Sequence, residues 1–176
     1  MSDICVRITN PMRANKSGHL IGEWVGLPIS QDELQEVLPE IRITDGNDSF
    51  FISYSETEDF DIPIDQHTDF SELNKLVVRI DEVDEAEQYK LAALIEIEGP
   101  ADFDAVYDII DRLDKYDFLS EIQDDEALGR YFAIDCDMLQ GTPTNMVRFF
   151  NFRSYGWNLR YEHGILYTSL GAIMRK

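Results

Sequence analysis

The chain opens on an alternating run. Ile4-Cys5-Val6-Arg7-Ile8 places an apolar residue at every second position, the period of a half-buried strand. Pro11 to Gly18 is a polar loop, and Leu20 to Trp24 predicts a second strand, interrupted by Gly22 and ended near Pro28. Ser30 with Glu33 three positions later makes a capping box, so a helix follows through Leu34, Val37 and Leu38 to Pro39. Ile41-Arg42-Ile43 and Phe50-Phe51-Ile52-Ser53-Tyr54 predict a hairpin pair around Asp45-Gly46-Asn47-Asp48.

Beyond residue 70 the apolar period lengthens to that of helices. Ser71 is placed to cap a helix carrying Leu73, Leu76, Val77 and Ile80 on one face. A second helix from near Asp84 contains Leu91, Leu94 and Ile95 and ends at Gly99-Pro100. A third from about Ala101 buries Phe103, Val106, Tyr107, Ile110 and Leu113. Residues 125–138 fit a further helix around Leu128, Tyr131, Phe132 and Ile134. After Thr142-Pro143 and the aromatic run Phe149-Phe150-Asn151-Phe152, Leu159–Tyr161 and Ile165–Thr168 are predicted as strands. The pattern gives an α+β chain in three consecutive subdomains: an antiparallel β-sheet with a short helix over 1–70, a helical part over 71–116, and a mixed part over 117–176. No internal repeat is visible.

Charge changes this picture. Of 176 residues, 35 are acidic against 15 Lys+Arg, a net of -20, while a 44% hydrophobic content still supplies real cores. Residues 51–125 hold 23 of the acids and five of the bases; residues 126–176 hold four acids and six bases. A surface of this sign repels nucleic acid and anionic membrane and attracts basic protein clefts. Neither a signal-peptide pattern nor a run of roughly 18 apolar residues occurs, so a cytoplasmic protein is expected.

Candidate chemistry adds little. His19, His67 and His163 lie far apart, Cys5 and Cys136 lack metal-ligand spacing, and neither a phosphate-binding glycine loop nor a glycine-flanked serine nucleophile is present. The expectation is a protein without enzymatic activity, metal or cofactor. In the third helix, by contrast, Asp104, Asp108, Asp111 and Asp114 recur at three- and four-residue spacing opposite the apolar side. Carboxylates so placed sit roughly 4.5–6 Å apart along the axis, of the same order as phosphates on a DNA strand. Asp102, Asp117 and Glu121, with Asp124 and Asp125, extend the series, and Asp81, Glu82, Asp84, Glu85, Glu87, Glu96 and Glu98 precede it. A solvated helix face would also be acidic, but it would interleave lysine at i,i+4, and Asp is a poor helix former.

These residues resemble the ArdA antirestriction family. The resemblance runs through Gly22-Glu23-Trp24-Val25-Gly26-Leu27-Pro28, Ser71-Glu72-Leu73-Asn74-Lys75-Leu76, the acidic helices, Leu128-Gly129-Arg130-Tyr131-Phe132 and Tyr155-Gly156-Trp157-Asn158-Leu159. In the last string Trp157 and Asn158 stand where the family has Arg and Asp, so that pair's role is not carried over. The resemblance implies an elongated homodimer that imitates bent duplex DNA and competitively occupies the DNA-binding groove of Type I restriction–modification enzymes, on the methyltransferase core, without binding nucleic acid or membrane. It also implies a C-terminal dimer contact near Arg130, Tyr131 and Phe132, the two aromatics being equally readable as core. The rival reading is an acidic adaptor for a different basic partner.

Overall fold

The computed structural model describes residues 4–44, 49–58 and 60–176; the predicted Asp45–Asp48 turn lies outside the described residues. The chain forms two compact units, the first of residues 1–88 and 99–110, the second of residues 89–98 and 111–176. The order is α+β: strands first, helices in the middle, a mixed C-terminal part.

Unit 1 is built on an antiparallel sheet in the order β2-β1-β3, from β1 (Ile4–Ala14), β2 (Leu20–Leu27) and β3 (Phe51–Thr57). Alternation buries Ile4, Val6 and Ile8 on one face with Val25, Leu27 and Ile52. β1 runs further than predicted, through Pro11 to Ala14, because a register shift after Thr9 lets Ala14 pair with Leu20. Its tight turn is held by Asn15 Oδ1, which accepts from the N–H groups of Ser17 and His19. α1 (Gln31–Val37) has the predicted capping box: Ser30 Oγ accepts from Glu33 N, and Glu33 Oε2 accepts from Ser30 N at 2.9 Å.

Two local expectations are corrected here. Ile41–Ile43 is no strand: β3 pairs with β1 instead. Ile41 and Ile43 are buried from a turn in which Arg42 adopts a left-handed φ of 60°, so the alternation is real but the backbone is not extended. The cap of α2 (Phe70–Asp81) is Asp69 rather than Ser71, its Oδ1 accepting from Glu72 N at 2.9 Å. α2 buries Leu73, Leu76, Val77 and Ile80 as predicted, and packs on α4 (Phe103–Ile110), which buries Val106, Ile109 and Ile110. Asn74 ties the loop before α1 to α2, accepting from Ile29 N and donating to Ile29 O. α3 (Glu85–Glu98) begins in unit 1 and ends in unit 2.

Unit 2 carries a second antiparallel sheet, order β4-β6-β5, from β4 (Tyr116–Ser120), β5 (Leu166–Tyr167) and β6 (Gly171–Arg175). α5 (Asp125–Arg130) continues into a π-helical turn over Tyr131–Asp135, followed by α6 (Thr144–Val147) and α7 (Phe152–His163). Leu159–Tyr161 is therefore helix, not the predicted strand. Asn151 caps α7 by accepting from Ser154 N, and Gly164, left-handed at φ 60°, stops it. Ile122, Leu128, Ile165 and Ala172 form one core cluster of this unit.

Candidate partner-binding surface

The predicted carboxylates divide between the units. In unit 1, Asp81 and Glu82 close α2, Asp84 precedes α3, and Glu85 and Glu87 occupy its first turn, where the positive end of the helix dipole favours them. Asp102 Oδ1 accepts from Ala105 N at 2.9 Å, holding the start of α4. Asp104 and Asp108 then stand exposed one turn apart on α4, roughly 6 Å along the axis. Arg79 lies 3.5 Å from Glu82; Asp84, Glu85 and Asp104 have no ion-pair partner among the described residues.

α4 stops at Ile110, and this changes the predicted array. Leu113–Lys115 is a 3-10 turn that turns Leu113 into the interior, and Tyr116 starts β4. Asp111 and Asp114 are therefore exposed but off the helix, so the helical spacing joins only Asp104 and Asp108. In unit 2 the other acids are largely tied. Glu96 accepts from the N–H and hydroxyl of Ser169, at 2.9 and 2.7 Å. Glu98 pairs with Arg112, holding that guanidinium above its ordinary pKa, and Asp117 lies 3.4 Å from Lys176. Glu121 is exposed at a left-handed turn, φ 64°. Asp124 caps α5, and Asp125 accepts from Arg160 Nε at 2.8 Å and Tyr167 OH at 2.9 Å.

Sequence reasoning missed a groove in unit 1 of about 620 Å³. Phe103, Tyr107 and Ile64 supply apolar wall, and Asp65, Glu72, Asp102 and Asp104 line it with carboxylate. Burial first, and then the neighbouring Glu72, pushes the Tyr107 hydroxyl pKa up. Its own turn's amide at His67 holds Asp65 below the usual carboxylate range. No linear signal marks this groove, because residues 63–72 meet 101–107 only through the packing of α2 on α4.

Two strings that carried the family resemblance meet at one helix crossing in unit 2. A Cβ on Gly129 would lie 1.9 Å from Phe152 O, and one on Gly156 would lie 1.8 Å from Asp125 O, so α5 and α7 touch backbone to backbone. Of the predicted dimer residues, Arg130 is exposed, pairs with Glu126 at 3.0 Å and stacks 4.5 Å over the Phe152 ring. Tyr131 and Phe132 are half-buried and pack edge-to-face with each other against the core. Trp157 and Asn158 lie exposed on α7, with Trp157 stacked on Tyr161 at 5.9 Å.

Among the described residues there is no group of three or more His, Cys, Asp or Glu that could hold a metal ion, and no helix is long and apolar enough to cross a membrane. No curated protein matches the chain. A family model described as antirestriction protein (ArdA) does, over residues 11–174, which take in β2, β3 and the acidic helices of unit 1 and the glycine crossing of unit 2. The chain belongs to the ArdA family of antirestriction proteins.

Proposed function

We propose that this antirestriction protein acts as a decoy for duplex DNA, competitively occupying the DNA-binding groove of the methyltransferase core of Type I restriction–modification enzymes. The observation that carries the reading is the placement of charge: unit 1 holds 23 acids against six Lys+Arg, a net of -17. Carboxylates stand for phosphates, and the apolar groove of unit 1 with its four acids suits a lysine or arginine side chain reaching from a basic cleft. Inhibition then needs binding alone, with no catalytic step, cofactor or metal, and neither nucleic acid nor membrane is a partner. Self-association as a homodimer belongs to unit 2, through Arg130, Tyr131 and Phe132, because that unit's net charge of -3 sets little repulsion against a second copy. Two chains would present about twice the net -20, roughly the phosphate charge of 20 base pairs.

The test is displacement of labelled DNA from a purified methyltransferase core, followed by fluorescence anisotropy at two salt concentrations. Stoichiometric displacement that weakens steeply with salt is the expected result. Absence of displacement by a folded sample favours an acidic adaptor for another basic partner.

A further inference from the structure

The early string Gly22-Glu23-Trp24 does more than extend a strand. In the sheet register Arg7 stands opposite Trp24 on one side and opposite Tyr54 on the other. The three side chains thus form one cross-strand row on the face opposite the buried Ile4, Val6 and Ile8. Adjacent strands lie about 4.8 Å apart, so the two aromatics are held roughly 10 Å from each other with the arginine between. Arg7 is fixed within the sheet: its Nη2 donates to Gly22 O at 3.4 Å, and its Nη1 to Thr9 Oγ1 and Ser53 Oγ, each at 3.5 Å. Gly22 makes room for this, since a Cβ there would lie 2.4 Å from Thr9 Oγ1 and 3.1 Å from Arg7 Cζ. Trp24 and Tyr54 are left 47% and 65% exposed. Exposed Glu56 lies one row along from Tyr54 on the same face of β3.

From this we propose that the Trp24–Arg7–Tyr54 row is a second, short-range contact for the basic protein that unit 1 attracts, with lysine or arginine side chains of that partner lying on the two aromatic rings. The chemistry is specific. Ring faces attract cations, Glu56 adds a carboxylate at the margin, and the net -17 of the unit admits a basic partner and repels a nucleic acid. Trp, Tyr and Arg are also the residue types on which interface binding energy concentrates. Such a contact is short-ranged and resists salt, whereas the carboxylate surface does not. The inference rests on the proposed function and deepens it.

The experiment compares wild type, Trp24→Ala/Tyr54→Ala and Trp24→Phe/Tyr54→Phe for binding to the methyltransferase core at two salt concentrations. The alanine pair is expected to bind about tenfold more weakly at both, with the salt dependence unchanged, and the phenylalanine pair to recover most of the loss. Oxidative footprinting of the wild-type chain, read by mass spectrometry, should show Trp24 and Tyr54 shielded in the complex, a readout independent of how any variant folds. Rings that stay open to oxidation, or an alanine pair that binds like wild type, overturn the contact while leaving DNA mimicry standing. A wild type that does not bind the core at all overturns both.

Discussion

The two units differ in the balance between acids that tie the fold together and acids left to solvent. Unit 2 has 12 acids against nine Lys+Arg, and many of those acids are structural ties: Glu96 to Ser169, Glu98 to Arg112, Asp117 to Lys176, Asp125 to Arg160 and Tyr167. Unit 1 has 23 acids against six bases, and Asp84, Glu85 and Asp104 face solvent with no ion pair among the described residues. Self-repulsion of this kind lowers the stability of a compact state. Placement, more than number, separates a carboxylate that builds the fold from one shown to a partner.

The largest expected effect breaks the comparison from the side of unit 2. Gly156→Ala drives a methyl group into the carbonyl of Asp125, and backbone cannot yield as a flexible side chain would. A loss of about 3 kcal/mol or more is expected, read as a lowered thermal midpoint, and Gly129→Ala should match it. Next comes the division of the aspartate series. Glu82→Gln/Glu85→Gln/Asp104→Asn/Asp108→Asn in unit 1 should weaken DNA displacement by about ten- to a hundredfold and flatten its salt dependence, at up to about 1 kcal/mol per exposed contact. Asp111→Asn/Asp114→Asn/Asp117→Asn/Glu121→Gln, in unit 2, should cost much less. Equal losses would show that the two units share the decoy role.

A smaller effect concerns alkaline pH. Burial, followed by the hydrogen bond to Asp125, raises the Tyr167 hydroxyl well above the ordinary phenol value. A group whose folded pKa is raised contributes stability that is complete below its unfolded value, about 10, and is lost as pH rises through the folded value. Wild type should therefore lose stability above about pH 10 more steeply than Tyr167→Phe, which gives up about 1 kcal/mol of hydrogen bonding at neutral pH. Thermal midpoints from pH 7 to 11 check this. Smallest is Ser30→Ala, which removes the cap of α1 and is worth about 1 kcal/mol in denaturant unfolding.

What the sequence shows of the fold is what local chemistry decides. The alternation of Ile4 to Ile8, the Ser30–Glu33 box and the apolar face of α2 all survive, because each depends on neighbours within one turn or one strand. Elements set by distant contacts do not. Leu159–Tyr161 reads as a strand, yet it lies in a helix laid against α5 across the Gly129–Gly156 contact, 27 residues apart in sequence. The strand Tyr116–Ser120 is hidden because Asp114, Asp117 and Glu121 carry on a helical spacing that the chain abandons at Ile110. For the candidate surface, the excess of acid is visible in composition. The separation of tied from exposed carboxylates is not, since Ser169 lies 73 residues from Glu96. The groove beside Tyr107 and the Trp24–Arg7–Tyr54 row are likewise products of pairing between segments.

The exchange of chain between units has a consequence for biosynthesis. Unit 1 takes residues 1–88 and then 99–110, with residues 89–98 given to unit 2 in between. A nascent chain emerging from the ribosome thus cannot complete unit 1 at residue 88, because α2 still lacks Val106, Ile109 and Ile110 of its partner helix. By the time α4 has emerged, the α3 residues of unit 2 have emerged as well, still waiting for their own sheet. A gene cut between codons 82 and 102, after α2 and before α4, would therefore yield an acidic half whose apolar helix face is open to solvent and to the cell's proteases.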